Sequence, residues 1–302
     1  MSVRRNRNDQ GTIELSLDHD QRRHLIALLV RLTEQQHERN HQDETPHHQH
    51  ERIHHPQPIK PDVDTLHALQ LAHLRSVPFE NLDIGLKRVI QLNEQALWEK
   101  IIVNKRGGFC YELNGLFAWL LKQIGFDVTY LNARDYHEAD NTFGIDFDHL
   151  TLMVQAPGKS TRWLVDVGWG DTFTQPLDID DHDWQEQESR AYKLERFRDG
   201  YQLWQRDWGG KIERQYYFDL TPHQFPAEYE AACHYHQTSP QSIFTRGSII
   251  SIATPDGRIT LEDGRLIMTK NGERTERVIE NKTKYLALLK KHFDITLEFT
   301  FE

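Results

Sequence analysis

The pattern of apolar and polar positions changes character after the first third of the chain. Leucines recur at helical spacing within residues 13–36, and the same periodicity returns at residues 62–75 and 110–124. Beyond Gly125 the apolar positions fall into short runs of strand length, at residues 126–133, 150–155, 163–168, 191–198, 201–205 and 213–220. The pattern therefore predicts a mainly helical first part, followed by a small β-barrel or sandwich.

Residues typical of element ends support this interpretation. Asn93 is of the type that caps a helix N-terminus, Gly125 is of the type that follows a helix C-terminus, and Pro78 ends the preceding helix. Near the C-terminus, three strand patterns at residues 249–253, 258–261 and 265–269 precede an amphipathic helical pattern at residues 281–293. The last part therefore combines strands and a helix.

Composition narrows the classes of function. With 36 basic and 46 acidic residues the formal net charge is −10, which does not favour binding to nucleic acid or an anionic membrane. No apolar run has the length of a membrane span, and the basic N-terminus lacks the apolar stretch of a secretory signal. Cys110 and Cys233 are the only cysteines, so we expect reduced thiols and a cytoplasmic protein.

A histidine-rich tract at residues 37–61 interrupts the helical pattern. It holds seven of the 18 histidines but little that could pack in a core, so it is interpreted as a solvated loop. Clustered histidines can bind zinc, copper or nickel weakly, but the spacing is irregular and no cysteine accompanies them. We therefore predict no metal site.

Cys110 is the first candidate for chemistry. It follows two glycines in RGGFCYELNGLF and stands at the predicted start of a helix. Unpaired N–H groups and the helix dipole there favour a thiolate and lower the pKa of a thiol. This effect alone leaves the thiol mostly protonated, so a partner base is needed; the alternative is a buried, inert cysteine.

His149 and Asp166 are the candidate partners of Cys110. His149 opens the strand pattern DHLTLMV, and Asp166 interrupts the apolar strand WLVDVGWG, where an unpaired carboxylate would be costly to bury. A hydrogen bond between them would fix the imidazole tautomer and leave the other ring nitrogen for the thiol. The alternatives are a core histidine and a turn aspartate.

These motifs together resemble those of the arylamine N-acetyltransferases. RGGFCYELNGLF is similar to the nucleophile motif of that family, DHLTLMV to its histidine strand and WLVDVGWGD to its aspartate strand. LHALQLAHLRSVPFENLDI upstream, and QYYFDLTPHQFPAEYE, SPQSIF and TPDGRITLEDGRLIMTKNGERTER downstream, resemble further family segments. The resemblance runs from about residue 62 to the C-terminus. The histidine-rich tract and Cys233, where the family commonly has asparagine, depart from it.

The resemblance implies an α+β, cysteine-proteinase-like fold in three parts. Residues 1–125 would form a helical bundle carrying the nucleophile, residues 126–230 a β-barrel carrying the histidine and the aspartate, and residues 231–302 an α/β lid. It also implies a ping-pong reaction, in which acetyl-CoA acylates Cys110 and an arylamine, arylhydrazine or N-hydroxyarylamine then takes the acetyl group. Acetyl-CoA would be a co-substrate, with no metal involved.

The same motifs suggest supporting roles for five more residues. Phe79 and Phe109 are expected in the wall of an apolar acceptor pocket, although both could be plain core residues. Arg106 and Glu80 are expected to form a buried ion pair that holds the cysteine loop, because an unpaired buried charge is costly. Asn114 is expected to support the triad, and backbone N–H groups near Cys110 to stabilise the oxyanion.

Three other functions remain open on the sequence alone. An amide synthase of the same fold would hold a larger acyl chain on Cys110. A cysteine peptidase or transglutaminase-like enzyme could use the same triad, and a binding module would merely bury the cysteine. We expect no nucleic-acid or membrane partner, and a monomer or small homo-oligomer.

Overall fold

The computed structural model describes residues 60–297 apart from Ser189 and Trp208, together with a short antiparallel pairing of Asn6–Arg7 (β1) with Ile13–Glu14 (β2). The leucine-rich pattern predicted as a helix before residue 37 lies outside the described residues. So does the histidine-rich tract up to residue 59.

Helices dominate the region before residue 125. Helix α1 (Val63–Ser76) begins after Asp62, whose carboxylate accepts a hydrogen bond of 2.9 Å from the N–H of Thr65. It ends before Pro78, as predicted. A two-residue strand, β3 (Phe79–Glu80), and a short helix, α2 (Leu82–Gly85), follow.

The helix that carries Cys110 is the central one. Helix α3 (Glu94–Trp98) starts at the predicted cap Asn93 and continues as a π-helical segment, Glu99–Val103. Helix α4 (Cys110–Ile124) is buried along most of its length and ends at Gly125, which adopts the left-handed conformation with φ of 110°. Only glycine adopts this φ at little cost, which confirms its predicted role.

The middle of the chain forms one antiparallel sheet that curves into a barrel. Its strands are β4 (Asp127–His137), β5 (Thr142–Phe143), β6 (His149–Gln155), β7 (Trp163–Val165), β8 (Leu177–Asp178), β9 (Gln185–Glu186), β10 (Ala191–Phe197), β11 (Gly200–Arg206) and β12 (Ile212–Phe218). The order is β8-β7-β6-β4-β12-β11-β10-β9, with β5 beside β4. Gln185 links the two end strands, because its amide exchanges hydrogen bonds of 2.8 Å with the backbone N–H and C=O of Asp178.

The last part is an antiparallel meander covered by helices. It contains α5 (Glu230–Thr238), α6 (Ile243–Arg246), β13 (Ile249–Thr254), β14 (Gly257–Glu262), β15 (Arg265–Lys270), β16 (Glu273–Val278) and α7 (Lys282–Phe293). Its first strand also pairs with β3, so the sheet reaches back into the helical part. Within the described residues, no helix has the length and apolarity needed to cross a bilayer.

The predicted elements that fall on described residues are present, but helix α5, strand β16 and several very short elements were not predicted, and one pairing is unexpected. Strand β16 was not predicted, because all six of its residues are exposed and no apolar alternation marks it. The pairing of β3 with β13 joins residues about 170 positions apart, which no local pattern reports. Helices give way to strands, and strands to helices, close to the expected boundaries of the three parts. Helix α4 ends at Ile124, and α5 begins at Glu230.

Candidate active site

The loop before Cys110 is held so tightly against β3 that only glycine fits. The N–H of Glu80 donates to the carbonyl of Gly108 at 2.8 Å. A Cβ on Gly107 would lie 1.9 Å from the carbonyl oxygen of Pro78. The two glycines of the sequence motif therefore allow the backbone approach that places Cys110 at the first position of α4.

His149 and Asp166 meet where β6 and β7 lie side by side. His149 begins β6, and Asp166 directly follows β7. The imidazole Nε2 lies 2.6 Å from Asp166 Oδ2. This contact assigns the proton to Nε2 and leaves Nδ1 as the free ring nitrogen. The ring is further held between Trp169 and Tyr216, with centroid distances of 4.8 and 5.3 Å.

Asp166 is fully buried, and both of its oxygens are occupied. Oδ2 accepts from His149 and from the hydroxyl of Tyr216 at 3.1 Å. Oδ1 accepts from Asn114 Nδ2 and from the N–H of Gly168, each at 2.9 Å. Burial raises the pKa of this carboxyl, but the charge and hydrogen bond of His149, with the bonds from Asn114 and Gly168, outweigh it and leave the pKa lowered. Asp166 is therefore an anion.

Asn114 joins α4 to both strands that carry the histidine and the aspartate. Its Nδ2 also donates to the carbonyl of Leu150 at 2.6 Å, and its Oδ1 accepts from the N–H of Val167 at 2.9 Å. All the hydrogen-bonding groups of this buried amide are thus used. The contacts match the supporting place expected for Asn114 from the sequence.

Cys110 differs from the expectation in its acidity. The side chain is buried, and burial raises the pKa of the Cys110 thiol well above its usual value; a hydrogen bond from the backbone of Leu150 lowers it, whereas Asp166 and Asp148 raise it. Burial outweighs the lowering of the pKa expected from the helix N-terminus, so this position does not by itself produce a thiolate, as was also predicted from the sequence. Ionisation needs a base at the site.

Cys110 and His149 line one cavity of about 750 Å³. Its wall also contains the rings of Phe79, Trp169 and Phe244. Phe109, the other predicted wall residue, does not line the cavity. Its ring is fully buried and packs against Tyr111 and Phe244, with centroid distances of 5.0 and 5.7 Å. It lies one layer behind the wall because the backbone turns at this residue into the helix.

The ion pair predicted between Arg106 and Glu80 belongs to a larger buried cluster. Arg106 Nε donates to Glu80 Oε1 at 2.9 Å, and its terminal nitrogen donates to Asp83 at 3.1 Å. Lys100 Nζ lies 2.9 Å from Asp83 and 2.7 Å from Glu112. Glu112 also accepts from the N–H of Phe109, which caps the helix that begins at Cys110.

The buried charges of this cluster do not balance. Three buried carboxylates face two buried cations, and the further cation Arg88, 3.9 Å from Asp83, is half-exposed. Burial, with repulsion from Glu80, raises the pKa of Glu112 to about 7 against the attraction of Lys100. Lys100, Asp83 and Glu112 were not predicted, since charged residues in helical segments usually lie in solvent. Tyr216 was also missed, because a tyrosine in a strand has the pattern of an ordinary core residue.

Cys233 is a buried thiol apart from this arrangement. Gln237 donates to its sulfur at 3.3 Å, and burial raises its pKa to about 12. Among residues 60–297, leaving aside the two undescribed positions, no three acidic, histidine or cysteine side chains are grouped as a metal site would require. The seven histidines of the histidine-rich tract lie outside that range.

Comparisons with known proteins identify the family. Residues 62–301 match the family model described as N-acetyltransferase. The arylamine N-acetyltransferase of Mycolicibacterium smegmatis is 34% identical over 242 residues, which cover 79% of this chain and 87% of that protein. This chain belongs to the arylamine N-acetyltransferase family. The resemblance noted in the sequence is thereby confirmed.

Solved structures of the family agree with the fold. The Mycobacterium marinum arylamine N-acetyltransferase in complex with CoA superposes with a TM-score of 0.74 at 29% identity, covering 78% of this chain and 88% of that one. A Bacillus cereus arylamine N-acetyltransferase, described as having a Cys-His-Glu catalytic triad, gives a TM-score of 0.71 at 27% identity, with coverages of 78% and 92%. The predicted α+β fold class is confirmed.

In this acetyltransferase, we expect Gly168→Ala to be destabilising. A Cβ there would lie 2.7 Å from the Cα of Cys110, so the start of α4 would have to move. The expected loss is about 2–3 kcal/mol in the free energy of unfolding, measured with urea. Gly85→Ala is the control, because nothing lies within 4 Å of its Cβ. Equal stabilities of the two variants would contradict this packing.

The buried cluster predicts different costs for two of its members. Arg106→Leu leaves the buried Glu80 with the N–H of Leu82 at 2.7 Å and, among the described cations, with Lys100 at 3.9 Å. We expect a loss of about 3–5 kcal/mol. Glu112→Gln keeps an acceptor for the Phe109 N–H and removes the surplus charge, so a change below about 1 kcal/mol is expected. Thermal and urea unfolding at pH 7 measure both. A large loss from Glu112→Gln would refute the charge imbalance.

Proposed function

We propose that this protein transfers an acetyl group from acetyl-CoA to an arylamine, arylhydrazine or N-hydroxyarylamine through a thioester on Cys110. The observation that carries the proposal is the placement of Cys110 and His149 in one cavity, with His149 fixed by the buried anion Asp166. The CoA complex of the M. marinum relative and the triad described for the B. cereus relative support it.

Acylation begins with transfer of the Cys110 thiol proton to His149 Nδ1. The thiolate then attacks the acetyl carbonyl, and backbone N–H groups at the start of α4 stabilise the resulting oxyanion. The bond from the acetyl carbon to the CoA sulfur breaks as His149 returns its proton to that sulfur. The products are free CoA and a neutral histidine beside acetyl-Cys110.

The second half repeats the sequence with the amine as nucleophile. The amine nitrogen attacks the thioester and gives a proton to His149, and the carbon–sulfur bond to Cys110 breaks. His149 then returns this proton to the Cys110 sulfur, so the enzyme is restored. The rings of Phe79 and Phe244 in the wall favour an aromatic acceptor over water.

Asp166 explains how a thiol of raised pKa can still react. A thiolate alone would be unfavourable in this buried place, but proton transfer to His149 creates an ion pair instead of a lone charge. The imidazolium is stabilised by the carboxylate at 2.6 Å, whose ionised form the protein already holds. The role of Asp166 is therefore to orient His149 and to stabilise its charged form.

Intact-protein mass spectrometry tests the thioester. Acetyl-CoA alone should leave one acetyl group on wild-type protein, and a neutral arylamine or an arylhydrazine should remove it. Cys110→Ala is the matched control, because it retains Cys233, whose buried thiol should not be acylated. Absence of the adduct, or an acetyl group on lysines only, would defeat the proposal.

A pair of substitutions tests the role of Asp166. In Asp166→Asn the new amide donates to Nε2, so the imidazole carries its proton on Nδ1 and cannot accept the thiol proton. We expect acylation to slow by about 10³–10⁴-fold. Tyr216→Phe removes one hydrogen bond from the same oxygen but keeps the tautomer, so a loss of about tenfold or less is expected. Rapid-quench acylation rates measure both; similar losses would remove Asp166 from the proposed mechanism.

A further inference from the structure

A second carboxylate, that of Asp148, lies in the wall of the cavity beside the proposed catalytic histidine. Asp148 lines the same cavity as Cys110 and directly precedes His149 in the chain. Its backbone is held by the hydroxyl of Tyr111, whose proton is shared between the carbonyls of Phe147 at 2.7 Å and Asp148 at 3.0 Å. A Cβ on Gly144 would lie 1.8 Å from Oδ2, so that glycine makes room for the carboxylate. The side chain thus has a defined place.

Asp166 and Asp148 differ in the number of hydrogen bonds that their carboxylates receive from the protein. Asp166 receives four hydrogen bonds of 2.6–3.1 Å from the surrounding chain. In the described part of the chain, Asp148 receives one long hydrogen bond, from the N–H of Asp135 at 3.4 Å. An anion at a cavity wall with so few donors retains most of its capacity to accept hydrogen bonds from a ligand.

His236 lies next to Asp148 but does not donate a hydrogen bond to its carboxylate. Its Nε2 lies 3.0 Å from Asp148 Oδ1, but the N–H is not directed at that oxygen, so among the described residues this buried nitrogen has no hydrogen-bond partner. On its other side, Nδ1 lies 3.1 Å from the hydroxyl of Ser242. That hydroxyl also accepts from the N–H of Phe244.

The charged residues in the cavity wall favour a positively charged ligand. The described carboxylates that line the cavity are Asp135, Asp148, Glu262 and Asp263, against one guanidinium, that of Arg246. Burial and the charge of Asp148 raise the pKa of Asp135 to about 6, so Asp135 is ionised at pH 8. Away from bulk water, opposite and like charges act strongly on a bound molecule.

We propose that Asp148, together with Asp135, forms an acceptor subsite that selects amines carrying a second group that is positively charged or donates N–H bonds, and disfavours carboxylates. This inference rests on the proposed function. An arylamine that attacks a thioester on Cys110 has its nitrogen near His149, and its ring extends into the cavity. An amidinium or ammonium on that ring would meet the Asp148 carboxylate, whereas a carboxylate there would be repelled.

Deacylation rates test the subsite. For each acceptor, the rate with a variant is compared with the rate of the wild type. In a double-mixing experiment at pH 8, acetyl-CoA first acetylates the enzyme, and an acceptor then removes the acetyl group. The acceptors are 4-aminobenzamidine, methyl 4-aminobenzoate and 4-aminobenzoate, which are cationic, neutral and anionic. Relative to the neutral ester, Asp148→Asn should slow the amidine about tenfold and speed the carboxylate several-fold.

Two further variants make the result decisive. Asp135→Asn should shift the rates in the same directions, and it decides the matter if Asp148→Asn does not fold. Asp256→Asn is the control for charge, because Asp256 lies in an exposed turn paired with Lys270 at 3.0 Å, and its ratios should equal those of the wild type. Normal acetylation of Cys110 with unchanged ratios in both cavity variants would overturn the subsite. No acetylation of the wild type would instead overturn the proposed function.

Discussion

The arrangement of the site depends on the burial of one ionised carboxylate. Removing a charge from water costs several kcal/mol unless donors replace the lost solvation. Asp166 obtains its four donors from α4, from β6, from β12 and from the turn after β7. Each element must therefore keep its place if the anion is to remain satisfied. The same contacts that replace the solvation of Asp166 also align the helix that begins at Cys110 with the strand that begins at His149.

A second polar network fixes the cysteine loop from the opposite end. Arg106 and Lys100 join the loop and the π-helical segment to acidic residues at β3, α2 and α4. Buried ion pairs contribute little net stability but penalise any arrangement that separates them. Because β3 also pairs with the C-terminal sheet, this network couples the position of Cys110 to the third part of the fold. Cys110 is thus held both by this paired network and by the apolar core that surrounds its helix.

The sequence predicts those features that leave a local signal. The helix around Cys110 is marked by its glycines and apolar periodicity, and the pairing of His149 with Asp166 follows from an acid placed in an apolar strand. Partners distant in the chain leave no such signal: Tyr216 reaches Asp166 across 50 positions, and Asp83 reaches Arg106 across 23. The raised pKa of Cys110 could not be predicted from the sequence either, because it depends on how completely the folded chain excludes water from the start of α4.

Asp166 and Asp148 carry the same chemical group near His149, but their different surroundings give them different roles. Asp166 is saturated by protein donors, so it has nothing left for a ligand and acts only through His149. Asp148 faces the cavity with few donors, so its charge is directed at whatever occupies that space. In the proposed mechanism Asp166 therefore stabilises the charged form of His149, whereas Asp148 acts on the bound acceptor. If protein donors also occupied Asp148, its charge would act less on the acceptor, and the cavity would discriminate acceptors more by shape.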